Sequence, residues 1–535
     1  MSCDLVLRGG TIIDGTGSPA RTGDVAVTGG RISAVGPELT TRGRREIDIT
    51  GAVVCPGFID LHSHADFTVM GAPGAPTQLL QGVTTLVTGN CGFSPFPVVP
   101  EHADELRALC GFLDDNLSWE WTTAAGYADA VGRLPLGVNL ALQTGHGALR
   151  VAAMGTGDRP PAPRELERMR QLLAATADDG AVGFSSGLIY PPGMYADTTE
   201  LTALAEVAAA HGLLHSTHMR SEGAGLAGAV DEALTVARDS GVRLQISHLK
   251  AAGVANWGTV GDALERIEAA RADGLDVAAD QYPYSASSTT LTTLLPDWAL
   301  DGGVAALLDR LADPERYRSM AAEMTAALEA GTFRPERVTL AGLPDDDDPR
   351  HGHLIGRTVA DAAAELGTPP AETVLDLLAA HGGQIASIHH SMSEDDVRHV
   401  MRHPGVAVAS DGWILRRSGP GRPHPRSFGT FARVLGHYSR DESVLGLPEA
   451  VRKMTGLPAS RLGWTDRGVL RPGAAADLVV FDPGTVVDRS TFAEPWRTAH
   501  GVAHTLVAGR FAVEDGEATG AGAGRVLGRP GADAG

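Results

Sequence analysis

GFIDLHSH (residues 57–64) is a short apolar run that stops at two histidines, His62 and His64. Four other segments end in the same way: VTTLVTGNC (83–91) at Cys91, LLHSTH (213–218) at His218, VRLQISH (242–248) at His248 and VAVASD (406–411) at Asp411. Between residues 53 and 412 we count eight such strand candidates; the other three are LGVNLALQTGH (136–146), GAVGFSSGLIY (180–190) and LDVAADQYP (275–283). Segments with apolar residues at helical spacing, ending in glycine, lie between several of them: RELERMRQLLAATADDG, TTELTALAEVAAAHG and TVGDALERIEAARADG. Eight strand and helix units predict an α/β fold, a (β/α)8 TIM-like barrel over about residues 57–464. Active sites on such barrels lie at the C-terminal strand ends, where all the candidate ligands fall.

Residues i and i+2 of a strand share a side, so His62 and His64 can reach one ion together. Alone, this pair is equally well a packing feature, His218 or His248 a satisfied core histidine, and Cys91 a small buried hydrophobe. Five ligand types at matching positions on different strands point instead to a shared metal site, and a thiolate with imidazoles favours zinc. Asp411 followed by glycine reads by itself as a turn; after an eighth strand and beside a metal set it reads as the catalytic acid and base.

The formal net charge of -21 and pI near 5.3 argue against nucleic acid or an anionic membrane surface as a partner. MSCDLVLRGG lacks a secretory pattern, no apolar run is long enough to span a bilayer, and Cys3, Cys55, Cys91 and Cys110 form no CxxC pair. A cytoplasmic enzyme acting on a small molecule is expected.

The chain ends read differently. Residues 1–56 and 465–516 are short alternating strands split by glycine and aspartate turns, expected to pair into one small β-sandwich. Residues 517–535, rich in glycine and alanine, read as a flexible tail. An insertion at about 297–369, with DDDD at 345–348, stands as either a lid or a solvated decoration.

Over nearly its whole length the chain resembles the N-acyl-D-amino-acid deacylases of the amidohydrolase superfamily. The motifs are PGFIDLHSHAD, GVTTLVTGNCGFSP, GHGALR, GFSSGLIYPPGMYADTTEL, THMRSE, ISHLK, YPYSASST, SDG, HPRSFGTF and the closing RPGAAADLVVFD. Many superfamily members bridge two metals with a carboxylated lysine at the fourth strand end. Lysine occurs here only at 250 and 453, and Cys91 is the available substitute. The resemblance implies one tight zinc on Cys91, His218 and His248, and a weaker second site on His62 and His64, with Cys91 and Asp411 between them. It also implies an α-carboxylate held by Lys250, Tyr282 and Arg426, with Ser288 as a further substrate contact, and the preference for D-amino acids. His146, at the third strand end, is either a supporting or a structural residue. Apolar substrate side chains are expected; Arg416, Arg417 and Arg422 could instead pair an acidic one, as in an N-acyl-D-glutamate deacylase. A cyclic amidase, another amidohydrolase and a catalytically silent interaction module are the alternatives.

Overall fold

The computed structural model describes residues 3–113 and 117–530. Eight parallel strands form the central sheet: β1 (Phe58–Asp60), β2 (Val83–Thr88), β3 (Asn139–Gly145), β4 (Gly183–Gly187), β5 (Leu214–His218), β6 (Arg243–Ile246), β7 (Val277–Gln281) and β8 (Val406–Val408). They neighbour one another in chain order, and a parallel bridge between Ser63 and Gly412 joins the last to the first. The sheet is thus the expected barrel.

The helices between strands follow from their apolar spacing. Leu226–Ser240 buries Leu226, Ala229, Val230, Ala233, Leu234 and Ala237, an i, i+3, i+4 stripe that packs on the barrel. It stops at Gly241, whose φ of 72° fits the left-handed cap. Truncating Leu234, 5% exposed, to alanine would cost roughly 2–5 kcal/mol by leaving a cavity.

Both chain ends meet in one nine-stranded sheet, Cys3–Pro56 supplying five strands and Leu478–Ala518 four. Leu7, Val25, Leu478 and Leu506 share its core. The strand Val53–Pro56 pairs with Leu478–Phe481 and leads directly into β1.

The insertion and the tail differ from expectation. The inserted unit begins earlier than 297 and ends later than 369, because Ser287–Thr290 and Val338–Gly342 both pair antiparallel with Ala386–His389. The helix Pro370–Ala380 belongs to its core, together with Leu291, Leu307 and Met320. The barrel helix before β8 is instead Glu394–Arg402. Of the tail expected to be flexible, 531–535 lie outside the described residues and 517–530 are held in place: Glu517–Ala518 completes the end sheet, Val526–Leu527 pairs with β3, Trp464 donates to the Gly528 carbonyl at 3.3 Å, and Arg529 donates to the carbonyls of His211 and Ala177. Alanine and glycine there allow close backbone pairing. No described helix is long and apolar enough to cross a membrane.

Candidate metal centre

At the C-terminal end of the barrel, His62, His64, Cys91, His218, His248 and Asp411 converge, all buried. Cys91 Sγ lies 3.3 Å from His62 Nε2 and 3.5 Å from His248 Nε2. Asp411 Oδ1 lies 3.0 Å from His64 Nε2 and 3.4 Å from His62 Nε2. Ligand atoms of His62, Cys91, His248 and Asp411 sit within 4.8 Å of one another, and those of His218, Glu222 and His248 form a second such group.

Only His218 lies on its strand; the others follow the strand ends. His62 and His64 therefore converge through the loop after β1, not through a strand pleat. Cys91, His248 and Asp411 have positive φ values of 54°, 33° and 52°, a region that non-glycine residues other than Asn and Asp rarely adopt. At Cys91, which unlike Asp and His is not a residue type that favours this region, the strain is roughly 1–3 kcal/mol; such strain persists where surrounding structure enforces it and clusters at functional sites. The Cys91 loop crosses so close to β4 that any Cβ at Gly187 would collide with the Cys91 carbonyl.

Cys91, Asp411 and His218 are held in ligand-ready forms, whereas the acidic neighbours of His62, His64 and His248 raise those rings against their burial, so that binding an ion there would release protons. Burial opposes ionisation of Cys91, yet charge on His62 and His248 holds the thiol well below its usual range. Burial likewise opposes ionisation of Asp411, and Arg426 and His62 hold the carboxyl well below the carboxylate range. Burial lowers the His218 pKa, keeping the ring neutral, and both of its nitrogens are buried without a hydrogen-bond partner. Orphaned imidazole nitrogens beside an acidic thiol and a carboxylate are the donor set of a zinc site. β4 carries Ser185 and Ser186 and no lysine.

Three carboxylates unmarked by the sequence reading support these groups. Glu222 Oε1 lies 2.9 Å from His248 Nδ1 and accepts from Lys250. Its pKa is driven far down, against its burial, by Lys250, His218 and His248. Asp280 accepts the His248 amide at 2.8 Å and sits 3.4 Å from His62 Nδ1. Asp60 accepts from the Ser410 amide at 2.9 Å. Their only sequence signals are THMRSE, AADQYP and GFIDLHSH.

A cavity above the cluster is lined by Lys250, Tyr282, Ser288, Arg426, Tyr190 and Phe93, among others. Lys250 Nζ lies 2.8 Å from His248 Nδ1, and Arg426 pairs with Asp411 Oδ2 at 2.7 Å. Arg426 also donates to the Ser288 carbonyl at 3.3 Å, and both cations lie over the Tyr282 ring. Arg416, Arg417 and Arg422 turn elsewhere, to the Gly71 carbonyl, Glu517 and the Ala493 carbonyl. His146 heads the helix His146–Met154, pairs with Glu200 at 2.8 Å and does not line the cavity, which gives it a structural place.

A closed parallel barrel with thiolate, imidazole and carboxylate donors at its C-terminal rim defines a metal-dependent hydrolase. The amidohydrolase family model matches residues 45–513, and the chain belongs to that family. It is 38% identical to an N-acyl-D-glutamate deacylase of Alcaligenes xylosoxydans xylosoxydans over 95% of this chain and 93% of that one. A D-aminoacylase of the same organism is 37% identical, with 98% of each chain covered. The N-acyl-D-glutamate deacylase of Bordetella bronchiseptica, solved with zinc and a phosphonate mimic of the tetrahedral intermediate, superposes with a TM-score of 0.82 at 35% identity, covering 98% of this chain and all of that one.

Proposed function

We propose that this protein hydrolyses N-acyl-D-amino acids to a carboxylate and a free D-amino acid, with zinc as its metal and apolar side chains preferred. The observation that carries the reading is the convergence of Cys91, four histidines and Asp411 under a cavity that also holds Lys250 and Arg426. Cys91, His218 and His248 would hold the tight ion, with His62 and His64 at a second site. Zinc bound there would polarise the scissile carbonyl and lower the pKa of water to about 7.

The chain's own residues account for the rest. Asp411 is ionised and buried, so it takes a proton at its carboxylate and returns it to the leaving nitrogen, which departs poorly until protonated. Lys250 and Arg426 supply positive charge for the substrate's α-carboxylate, and the Arg426 guanidinium suits a two-point grip. Tyr282 backs both cations, and Ser288 shapes the same wall. With the α-carboxylate fixed, inverting the α-carbon misplaces either the side chain or the amide. In this reading both cavity cations are taken up by the α-carboxylate, and the Arg416, Arg417 and Arg422 cluster points away. Among the described residues no further cation lines the cavity for an acidic side chain, which supports apolar ones.

A panel of N-acetyl-D and N-acetyl-L amino acids with apolar, basic and acidic side chains, run beside a zinc count, tests this. D-leucine, D-methionine and D-phenylalanine derivatives should react fastest. Equal rates for D and L forms, or indifference to amidation of the α-carboxylate, would refute the reading.

A further inference from the structure

A second cavity of about 280 Å³ lies beside the metal cavity, near the small end of ligand pockets, which run upward from roughly 300 Å³. Its walls are mostly apolar. Leu109 and Ala108 come from the helix Ala103–Cys110, and Leu300, Val304 and Leu307 come from the inserted unit. Phe93, Phe112 and Tyr190 line both cavities. They form one aromatic cluster, with Phe93 centroids 5.4 Å from Phe112 and 4.9 Å from Tyr190, and Tyr190 lies 5.2 Å from the His218 ring.

We infer that this chamber receives the acyl chain of the substrate, and that the enzyme acts on amides of medium-length fatty acids. The inference rests on the deacylase reading. From the scissile carbon the acyl chain and the amino acid depart in different directions. The cations for the α-carboxylate stand at one side of the barrel: Lys250 beyond β6, and Arg426 beyond β8 in the helix Arg426–Arg433. Phe93 follows β2 and Tyr190 follows β4, across the rim. An amino acid held by Lys250 and Arg426 therefore sends its acyl chain past Phe93 and Tyr190 into the chamber. The inserted unit closes the far wall, which gives it a place in substrate recognition. Among the described lining residues the only charged ones are Asp104 and Glu105, with no cation to favour an anionic acyl terminus.

The test is a series of N-acyl-D-leucines, from acetyl through butanoyl and hexanoyl to octanoyl, on the zinc-loaded enzyme. kcat/KM should rise with length, by up to about fourfold per buried methylene. Ala108→Trp and Val304→Trp, at an exposed and a half-buried wall position, should abolish the rise while leaving acetyl-D-leucine turnover unchanged. Hydrolysis of the acetyl substrate with no gain for longer chains overturns the acyl assignment alone. So does a gain in wild type that both tryptophan variants retain. A preference that tracks side-chain length, and is lost in the tryptophan variants while acyl length has no effect, gives the chamber to the amino-acid side chain and also overturns it. Failure to cleave any member overturns the deacylase reading and this inference with it.

Discussion

Asp411→Asn separates the proton-handling role of this carboxylate from its structural one. Asparagine has nearly the same volume and tolerates the left-handed backbone at φ 52°, so the turn after β8 is retained. What disappears is the charge that faces Arg426 at 2.7 Å and His64 at 3.0 Å. Asp411 is 6% and Arg426 2% exposed, and removing one partner of a buried pair typically costs about 3–5 kcal/mol. The Ser288 carbonyl and the Tyr282 ring still engage the guanidinium, which places the loss toward the low end, read as a drop of several degrees in Tm. The chemical loss is separate, since positioned acid-base catalysis is worth about 10²–10⁴-fold. kcat should be measured well below the variant's Tm, with zinc per chain determined on the same sample. Asp411→Asn with Arg426→Met should regain stability, because no buried charge is left alone, without regaining turnover. A kcat within a few fold of wild type in the zinc-loaded single variant would remove Asp411 from the mechanism.

Cys91→Ala should lose tight zinc and turnover together, checked by metal analysis after dialysis; wild-type zinc content would sink the thiolate assignment. Glu222→Gln should weaken zinc binding about 10–100-fold, the usual effect of losing a carboxylate that orients a ligating histidine, and competition with a chelator reads this directly; unchanged affinity would leave Glu222 as a partner of Lys250 only. His215, 2% exposed and stacked on Phe184, should make the fold acid-sensitive. Burial, aided by His146, depresses its pKa to about 3, so between the ordinary 6.5 and 3 the unfolded chain binds a proton that the folded chain refuses. Its share of stability is complete above pH 6.5 and falls by up to about 1.4 kcal/mol per unit below it. Thermal melts at pH 7 and pH 5 should show a smaller acid shift for His215→Gln than for wild type, and equal shifts would refute the assignment.

The barrel is legible because its strands are buried on both faces and read as apolar runs that break at polar residues. The positions of His62, Cys91, His218, His248 and Asp411 at those breaks mark one rim. The detailed geometry is not legible: His62 and His64 meet Asp411 from a loop, and three of the gathered residues take left-handed backbone that no local pattern announces. Glu222 and Asp280 read as ordinary acids until the barrel sets them against His248 and His62. The bounds of the inserted unit escape because SSTT (287–290) and ASIH (386–389) are too short to show a period, and ASIH pairs with SSTT on one side and Val338–Gly342 on the other. Residues 517–530 escape because composition predicts mobility, whereas their order comes from β3, Trp464 and the carbonyls that Arg529 reaches.

The seam that closes the barrel and the candidate metal centre are built from the same residues. Between β1 and β8 there is a single bridge, and the backbone bonds across it are His64 N–H to the Gly412 carbonyl and Asp411 N–H to the His62 carbonyl, both 2.8 Å. Asp60, whose pKa burial pushes up to about 7, accepts from both sides, from the Ser410 amide at 2.9 Å and the His62 amide at 3.3 Å. A seam with so few backbone bonds leaves the rim free to curve, and that freedom lets His62, His64 and Asp411 turn inward. The same scarcity makes their side chains part of the closure, since Asp411 Oδ1 spans the seam to both histidines. A metal shared by His62 and Asp411 would add a link across the weakest join of the sheet, so ion affinity and barrel closure share one free energy. The left-handed turn at Asp411, a conformation that aspartate accommodates, holds its carboxylate where closure, the Arg426 pair and the chemistry all require it.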